Sequence, residues 1–231
     1  MTRTFKARLS TIRRFAVASM FAAASLHASA SLVTSRAALA GNDFIDWGQL
    51  GVSGTESAGS TVPATTNLGL VTSVSKPAGA NFLLLNAGDF GGNLGGNILY
   101  TNFEAGPISV DFPVGLAKIG AQIQANDFGA FTGRISVYDV FNVLLESHDL
   151  SGTSNGAQDD SAIFIGVSRA TADIDRVEFD IIGSNNLDFA INQVDLNLIA
   201  DIVNPAPEPA TLALLGLALA GVYGTRRRKL G

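Results

Sequence analysis

From residue 41 to 203 no stretch keeps its apolar residues on a 3.6-residue period through three turns, which denies the chain an amphipathic helix as its building unit. Short apolar or alternating segments recur instead, separated by Gly, Asn, Asp and Ser. Strands are expected at 44–50, 68–75, 81–85, 97–102, 108–114, 116–125, 133–140, 143–148, 161–167, 173–182 and 187–198. That number of strands suits an all-β, two-sheet sandwich. The chain has no cysteine, so the fold must rest on its apolar core without disulfide staples, cysteine nucleophiles or cysteine zinc sites. A body of this length is enough for one domain with a single core.

Three local patterns are specific. Ile119, Ala121, Ile123 and Ala125 alternate with Gly120, Gln122 and Gln124, and Val177, Phe179 and Ile181 alternate with Arg176, Glu178 and Asp180. Each set predicts one buried and one wet strand face. In the last strand the apolar set is Phe189 and Ile191, then Val194, Leu196 and Leu198, so its parity changes. A β-bulge at Asn192-Gln193 keeps all five inward. Asp139-Val140-Phe141-Asn142 between two apolar runs predicts a hairpin turn.

The two ends of the chain differ from the body. Arg3, Lys6, Arg8, Arg13 and Arg14 precede an apolar run from Phe15 to Leu26, and Ala28-Ser29-Ala30 follows it. This is the layout of a secretory signal peptide over residues 1–30, cut after an A-x-A site at Ala28 and Ala30. A second A-x-A, Ala38-Leu39-Ala40, is the alternative end. Arg13-Arg14-Phe15 lacks the flanks of a twin-arginine signal, so the Sec translocon is the expected route. At the other end Pro207-Glu208-Pro209 precedes an uncharged apolar run from Ala210 to Gly224, then Arg226, Arg227, Arg228 and Lys229. As a helix that run would rise about 22 Å against a hydrocarbon core of roughly 30 Å, a short transmembrane span. The four cations stop it and stay cytoplasmic, which puts the body on the far side of the inner membrane. The prolines end the helix and hold Glu208 in an extended segment.

The order Pro-Glu-Pro, apolar helix, basic cluster over residues 204–231 resembles the PEP-CTERM sorting signal, also catalogued as the ice-binding protein C-terminal domain. The resemblance implies recognition at Pro207, Glu208 and Pro209 by an exosortase, a membrane-embedded cysteine protease of transpeptidase type, and export to the cell envelope or beyond. Ile119-Gly-Ala-Gln-Ile-Gln, Gly133-Arg-Ile-Ser-Val-Tyr-Asp, Ala162-Ile-Phe-Ile-Gly-Val, Ile174-Asp-Arg-Val-Glu-Phe and Asp188-Phe-Ala-Ile-Asn-Gln-Val are in turn similar to the jelly-roll bodies that precede such signals. That similarity implies a lectin-like or matrix role with extracellular polysaccharide as partner.

Once both ends are set aside, the body holds five basic against 19 acidic residues, near −14. Nucleic acid and anionic membrane are thereby poor partners, and divalent cations are attracted. Asp159, Asp160, Asp173 and Asp175 are candidate calcium ligands, with a solvated acidic edge as the competing reading; no other cofactor is indicated. Beyond the signal segment His148 is the only histidine, so a triad or histidine metal site would rest on it alone. No carboxylate pair is marked out by spacing for glycoside hydrolysis. The glycine-rich stretch from Gly88 to Gly96 has no phosphate-loop spacing and reads as a loop. Trp47, Phe128 and Phe131 are candidate sugar-stacking aromatics, with packing in the core as the competing role. The chain is expected to be a non-enzymatic substrate of sorting, with a structural or adhesive body, a carbohydrate-binding module as the alternative and a polysaccharide hydrolase behind it.

Overall fold

The bulge foreseen in the last strand organises one of two sheets. The computed structural model describes residues 31–77, 79, 81–90, 94–157 and 162–198. Along these run β1 (Ser31–Val33), helix α1 (Arg36–Leu39), β2 (Asp43–Ile45), a 3-10 turn (Trp47–Leu50), β3 (Thr61–Thr65), β4 (Val71–Ser75), β5 (Leu83–Asn86) and β6 (Asn97–Tyr100). They continue with β7 (Ile108–Leu116), β8 (Lys118–Ala125), β9 (Gly129–Tyr138), β10 (Leu144–Ser154), β11 (Ile163–Ser168), β12 (Ile174–Ile181) and β13 (Phe189–Asn197). The first sheet has the order β1-β11-β8-β13-β6-β5 with β2 also on β13, and the second the order β10-β9-β12-β7-β4-β3. The register of β13 on β8 shifts between Ile191 and Val194. Ahead of the shift the free edge of β13 takes β6, and after it the same edge takes β2. The bulge also leaves the Asn192 carbonyl to accept the Trp47 indole N–H at 2.8 Å, which lets a polar aromatic sit fully buried.

The core lies between the sheets and draws on both expected alternations: Ile119, Ala121, Ile123 and Ala125 from β8, and Val177, Phe179 and Ile181 from β12. Phe189, Ile191, Val194, Leu196 and Leu198 all join it, as the bulge requires. The expected hairpin joins β9 to β10, with Asp139 N–H donating to the Val143 carbonyl at 3.1 Å.

Four expectations need correction. The segment 44–50 is strand only to Ile45, because the Asp46 carboxylate caps the following 3-10 turn through Gly48 N–H. The strand β3 went unread because Pro63 interrupts it, yet β3 is a sheet edge where the missing N–H costs no ladder bond. The outer face of β8 is not wet: Gly120 and Gln124 are buried and Gln122 half-buried. Val33, Leu39 and Phe164 cover one part of that face, and Phe90 and Leu94 pack with Ile98, Tyr100, Ala162 and Ala190 against another. Gly120 is needed there, since a Cβ would meet Gly166 Cα and the Phe164 ring at 2.8 Å. Finally, the sheets begin before residue 41. The strand β1 pairs with β11 through Ser31, Leu32 and Val33, and Leu39 is fully buried.

The registers sort the connections into two ends. Ser31 lies opposite Ser168, Ser168 opposite Lys118, and Lys118 opposite Asn197. Leu116 faces Ile174, and Tyr138 faces both Arg176 and Leu144. The start of β1, the end of β13, the β9–β10 hairpin, the turn at Ala117 and the loop 169–173 therefore gather at one end, the terminal end. Loops 101–107, 126–128 and 182–188 gather at the other, the loop end, together with the end of β10 at Ser154.

Candidate functional site

At the loop end the polar groups converge on Asp188, which is 1% exposed. Its Oδ2 accepts the Tyr100 hydroxyl and the Asn126 amide, the latter at 2.8 Å, and its Oδ1 is buried with no partner among the described residues. Burial, then the neighbouring Asp188 carboxylate, push the Tyr100 phenol far above its ordinary range, so Tyr100 serves as a hydrogen-bond donor and not as a base. Next to Tyr100 the backbone is strained: Asn102 and Phe103 take φ of 58° and 65°, the left-handed region that non-glycine residues avoid. Two contacts hold this turn. The nearly buried Lys76 ammonium donates to the Thr101 carbonyl at 2.6 Å, and Thr101 N–H and hydroxyl bracket Phe189. Burial lowers the Lys76 pKa, against the pull of Glu104 and Glu56. The strained turn presents Phe103 to solvent at 74% exposure, its ring edge-on to Tyr100 at 5.4 Å.

Beside this network a cleft of about 150 Å³ is lined by Asp89, Phe90, Gln124, Asn126, Phe128 and Ser154. Phe128 is 72% exposed and rests against Gly156, where a Cβ would come within 3.1 Å of its ring. Gln124 donates to the Ser154 hydroxyl at 3.0 Å, while its buried Oε1 has no partner among the described residues. Exposed aromatic rings beside amide and carboxylate groups suit a ligand with many hydroxyls and some apolar faces.

Of the three aromatic residues open to either sugar stacking or core packing, only Phe128 is exposed. Trp47 and Phe131 belong to the core, at 0% and 2% exposure. Phe103 was missed, although it lies, like Phe128, in a short turn-rich segment between strands. Asp173 precedes β12, where Arg169 holds both its oxygens at 2.6 and 2.9 Å and Thr171 donates to one of them. Arg169 thereby keeps the Asp173 carboxyl below its usual range, and a cation there would have to displace the guanidinium. Asp175 lies beside Asp139, its pKa raised by burial first and by Asp139 and Asp173 next. Among the described residues no cluster of three His, Cys, Asp or Glu side chains is placed to hold a metal ion. Asp159, Asp160, Ala28, Ala30, Pro207, Glu208, Pro209, Arg226, Arg227, Arg228 and Lys229 lie outside the described residues. His148, on β10, contacts Glu146 at 3.1 Å, and Glu146 is shared with Arg169. No helix among the described residues is long and apolar enough to cross a membrane.

A second, wider depression of about 520 Å³ lies on the outer face of the first sheet beside Arg36, Gln122 and Phe164. It offers no exposed ring: Phe164 is 6% exposed beneath the Arg36 guanidinium, which is itself paired with Asp195 at 2.5 Å.

The described chain is thus an all-β body of two sheets. Residues 205–229 match the family model of the PEP-CTERM protein-sorting motif, so the tail carries that motif. No curated protein matches the chain significantly. Among solved structures, a DUF4465 family protein from Bacteroides caccae is 12% identical, covering 73% of this chain and all of its own, with a TM-score of 0.37. The structure of TmCBM61 in complex with β-1,4-galactotriose is 13% identical over 54% of this chain and 86% of its own, TM-score 0.34. CsCBM6-3 from Clostridium stercorarium, in complex with cellobiose, is 15% identical over 64% of this chain and all of its own, TM-score 0.32. Likenesses at this level do not carry a ligand over to the present chain.

Proposed function

We propose that the chain is an exported, non-catalytic envelope or matrix protein, held briefly in the inner membrane by its tail and processed by an exosortase at Pro207-Glu208-Pro209, with a body that adheres to extracellular polysaccharide. The sorting motif at 205–229 supports the first half of this reading. The observation that carries the second is the pair of exposed rings, Phe103 and Phe128, flanking the Asp188-Tyr100-Asn126 network. The left-handed turn at Asn102 and Phe103, held by Lys76 and Thr101, keeps the Phe103 ring outward, and this supports the reading. The jelly-roll reading of the body draws support from the path of the chain, which changes sheet at every step from β7 to β9 and again from β10 to β13.

The signal is cut after Ala30 in this reading, since Ser31 opens β1 and a cut after Ala40 would remove both β1 and the buried Leu39. Arg226, Arg227, Arg228 and Lys229 act as the membrane stop. The test is intact mass of the mature protein from cells with and without the exosortase, followed by polysaccharide-array binding of that product. A product from Ser31 to the region of Pro207, lost without the exosortase and retained on a polysaccharide, is the expected result. A product still bearing Arg226 to Lys229 would make the tail a plain anchor.

A further inference from the structure

The β9–β10 hairpin ends in four adjacent exposed apolar side chains: Val140 at 70%, Phe141 at 83%, Val143 at 56% and Leu144 at 53%. They are not on a loose loop. The Asp139 carboxylate accepts from Phe141 N–H at 2.9 Å and Val143 N–H at 2.8 Å, Asn142 supplies the left-handed residue, and Arg176 donates to the Asn142 side chain at 3.3 Å. A turn this well fixed needs no apolar residues for its own stability, and water disfavours them there.

Their place in the fold indicates what they meet. The hairpin shares the terminal end with Ser31 and with the exit of β13, where the Asn42 side chain clamps Leu198 through bonds of 2.7 and 2.8 Å to its carbonyl and N–H. Leu68, 45% exposed, belongs to the same end, since its N–H donates to Asp43, and Asp43 pairs with Leu196. From Leu198 to the apolar run at Ala210 the chain can span at most about 40 Å. Charge at this end is largely consumed locally: Arg169 by Glu146 and Asp173, Arg176 by Glu178, Asp139 by its own turn. Lys118 donates to the Leu39 carbonyl at 3.3 Å, Asp111 lies 3.9 Å from Arg176 and Asp175 adds a further acidic group, so this end carries no excess of cations and attraction to it is apolar and not directed at anionic headgroups.

We propose that the terminal end faces the bilayer while the tail is inserted, and that Val140, Phe141, Val143 and Leu144 enter the interfacial layer of a lipid surface of low charge. The proposal rests on the membrane-tethered reading of the tail. The full chain, reconstituted into phosphatidylcholine vesicles with brominated acyl chains, tests both, using Phe141→Trp, Phe128→Trp and Tyr223→Trp singly; the unsubstituted chain, whose Trp47 is buried, gives the background. Shallow insertion predicts that Phe141→Trp loses about half its added emission and Phe128→Trp almost none, with Tyr223→Trp strongly quenched. Quenching of Tyr223→Trp without Phe141→Trp overturns the docking and spares the tether. An unquenched Tyr223→Trp overturns the tether, and the docking with it. Equal quenching of Phe141→Trp and Phe128→Trp overturns the orientation. Shielding of Phe141→Trp that follows protein density in place of bromine content assigns the patch to a second copy of the chain and equally overturns the proposal.

Discussion

The two ends of the sandwich expose phenylalanine in opposite company. At the loop end Phe103 and Phe128 stand beside Asn126, Asp188 and Gln124, and two buried oxygens there have no partner among the described residues. At the terminal end Phe141 stands beside Val140, Val143 and Leu144, and most nearby charges are tied into ion pairs or into the turn. An exposed ring alone therefore says little about what it binds. Accessible polar groups beside a ring, such as Asp89 and Asn126 in the cleft of Phe128, favour a hydroxylated ligand, and apolar neighbours with few free charges favour a lipid or an apolar surface.

Experiments can break this contrast, and the largest effect belongs to the tail. Glu208→Ala should abolish processing, so that only precursor is seen by immunoblot; normal maturation of that variant would count against the sorting role of Pro207-Glu208-Pro209. Next, Phe103→Ala and Phe128→Ala should each weaken polysaccharide retention about tenfold, whereas Phe141→Ser should leave it unchanged. Loss of retention by Phe141→Ser instead would exchange the roles of the two ends. A smaller effect is expected from Arg169→Ala, which strands Glu146 and Asp173 at the terminal end and should cost about 2 kcal/mol in urea unfolding. The pH dependence follows from the same pair. Asp173 has a lowered folded pKa, so its contribution is present above the unfolded carboxylate value of about 3.9 and drains away as pH falls below it. Arg169→Ala should flatten that loss. Asp180, near the loop end of β12, behaves oppositely: burial raises its pKa, so its charged form costs stability once pH rises through the folded value. Asp180→Asn should therefore stabilise at neutral pH, by under about 1 kcal/mol, with no gain at pH 3.

What could be read in the sequence was local and periodic. The alternation in β12, the parity change between Ile191 and Val194, and the turn at Asp139 each depend on neighbours within a few residues, and the structure has all three. What could not be read depends on distant partners. Trp47 stood open between sugar stacking and core packing because nothing near it in sequence shows that the Asn192 carbonyl would accept its indole N–H. The polar face of β8 looked wet because its covers, Leu39 and Phe164 in one place and Phe90 and Leu94 in another, come from other elements. The loop-end site was half legible: Phe128 stood out in a glycine-containing turn, whereas Phe103 depends on a left-handed backbone pair next to Thr101, which is held by Lys76, 25 residues before Thr101.

The pairing of β1 with β11, and of β2 with β13, sets a timetable. A chain that crosses a membrane from its N-terminus delivers Leu32 first, yet the partner of Leu32 is Val167, and Asp43 must wait for Leu196. The first sheet cannot close until nearly the whole body has emerged. Thirteen residues separate Leu196 from the apolar run that begins at Ala210, so, where that run halts translocation as proposed, closure of the body and arrest of the tail become almost the same event. A protease acting just outside the bilayer would then meet a body that has only just become a finished object.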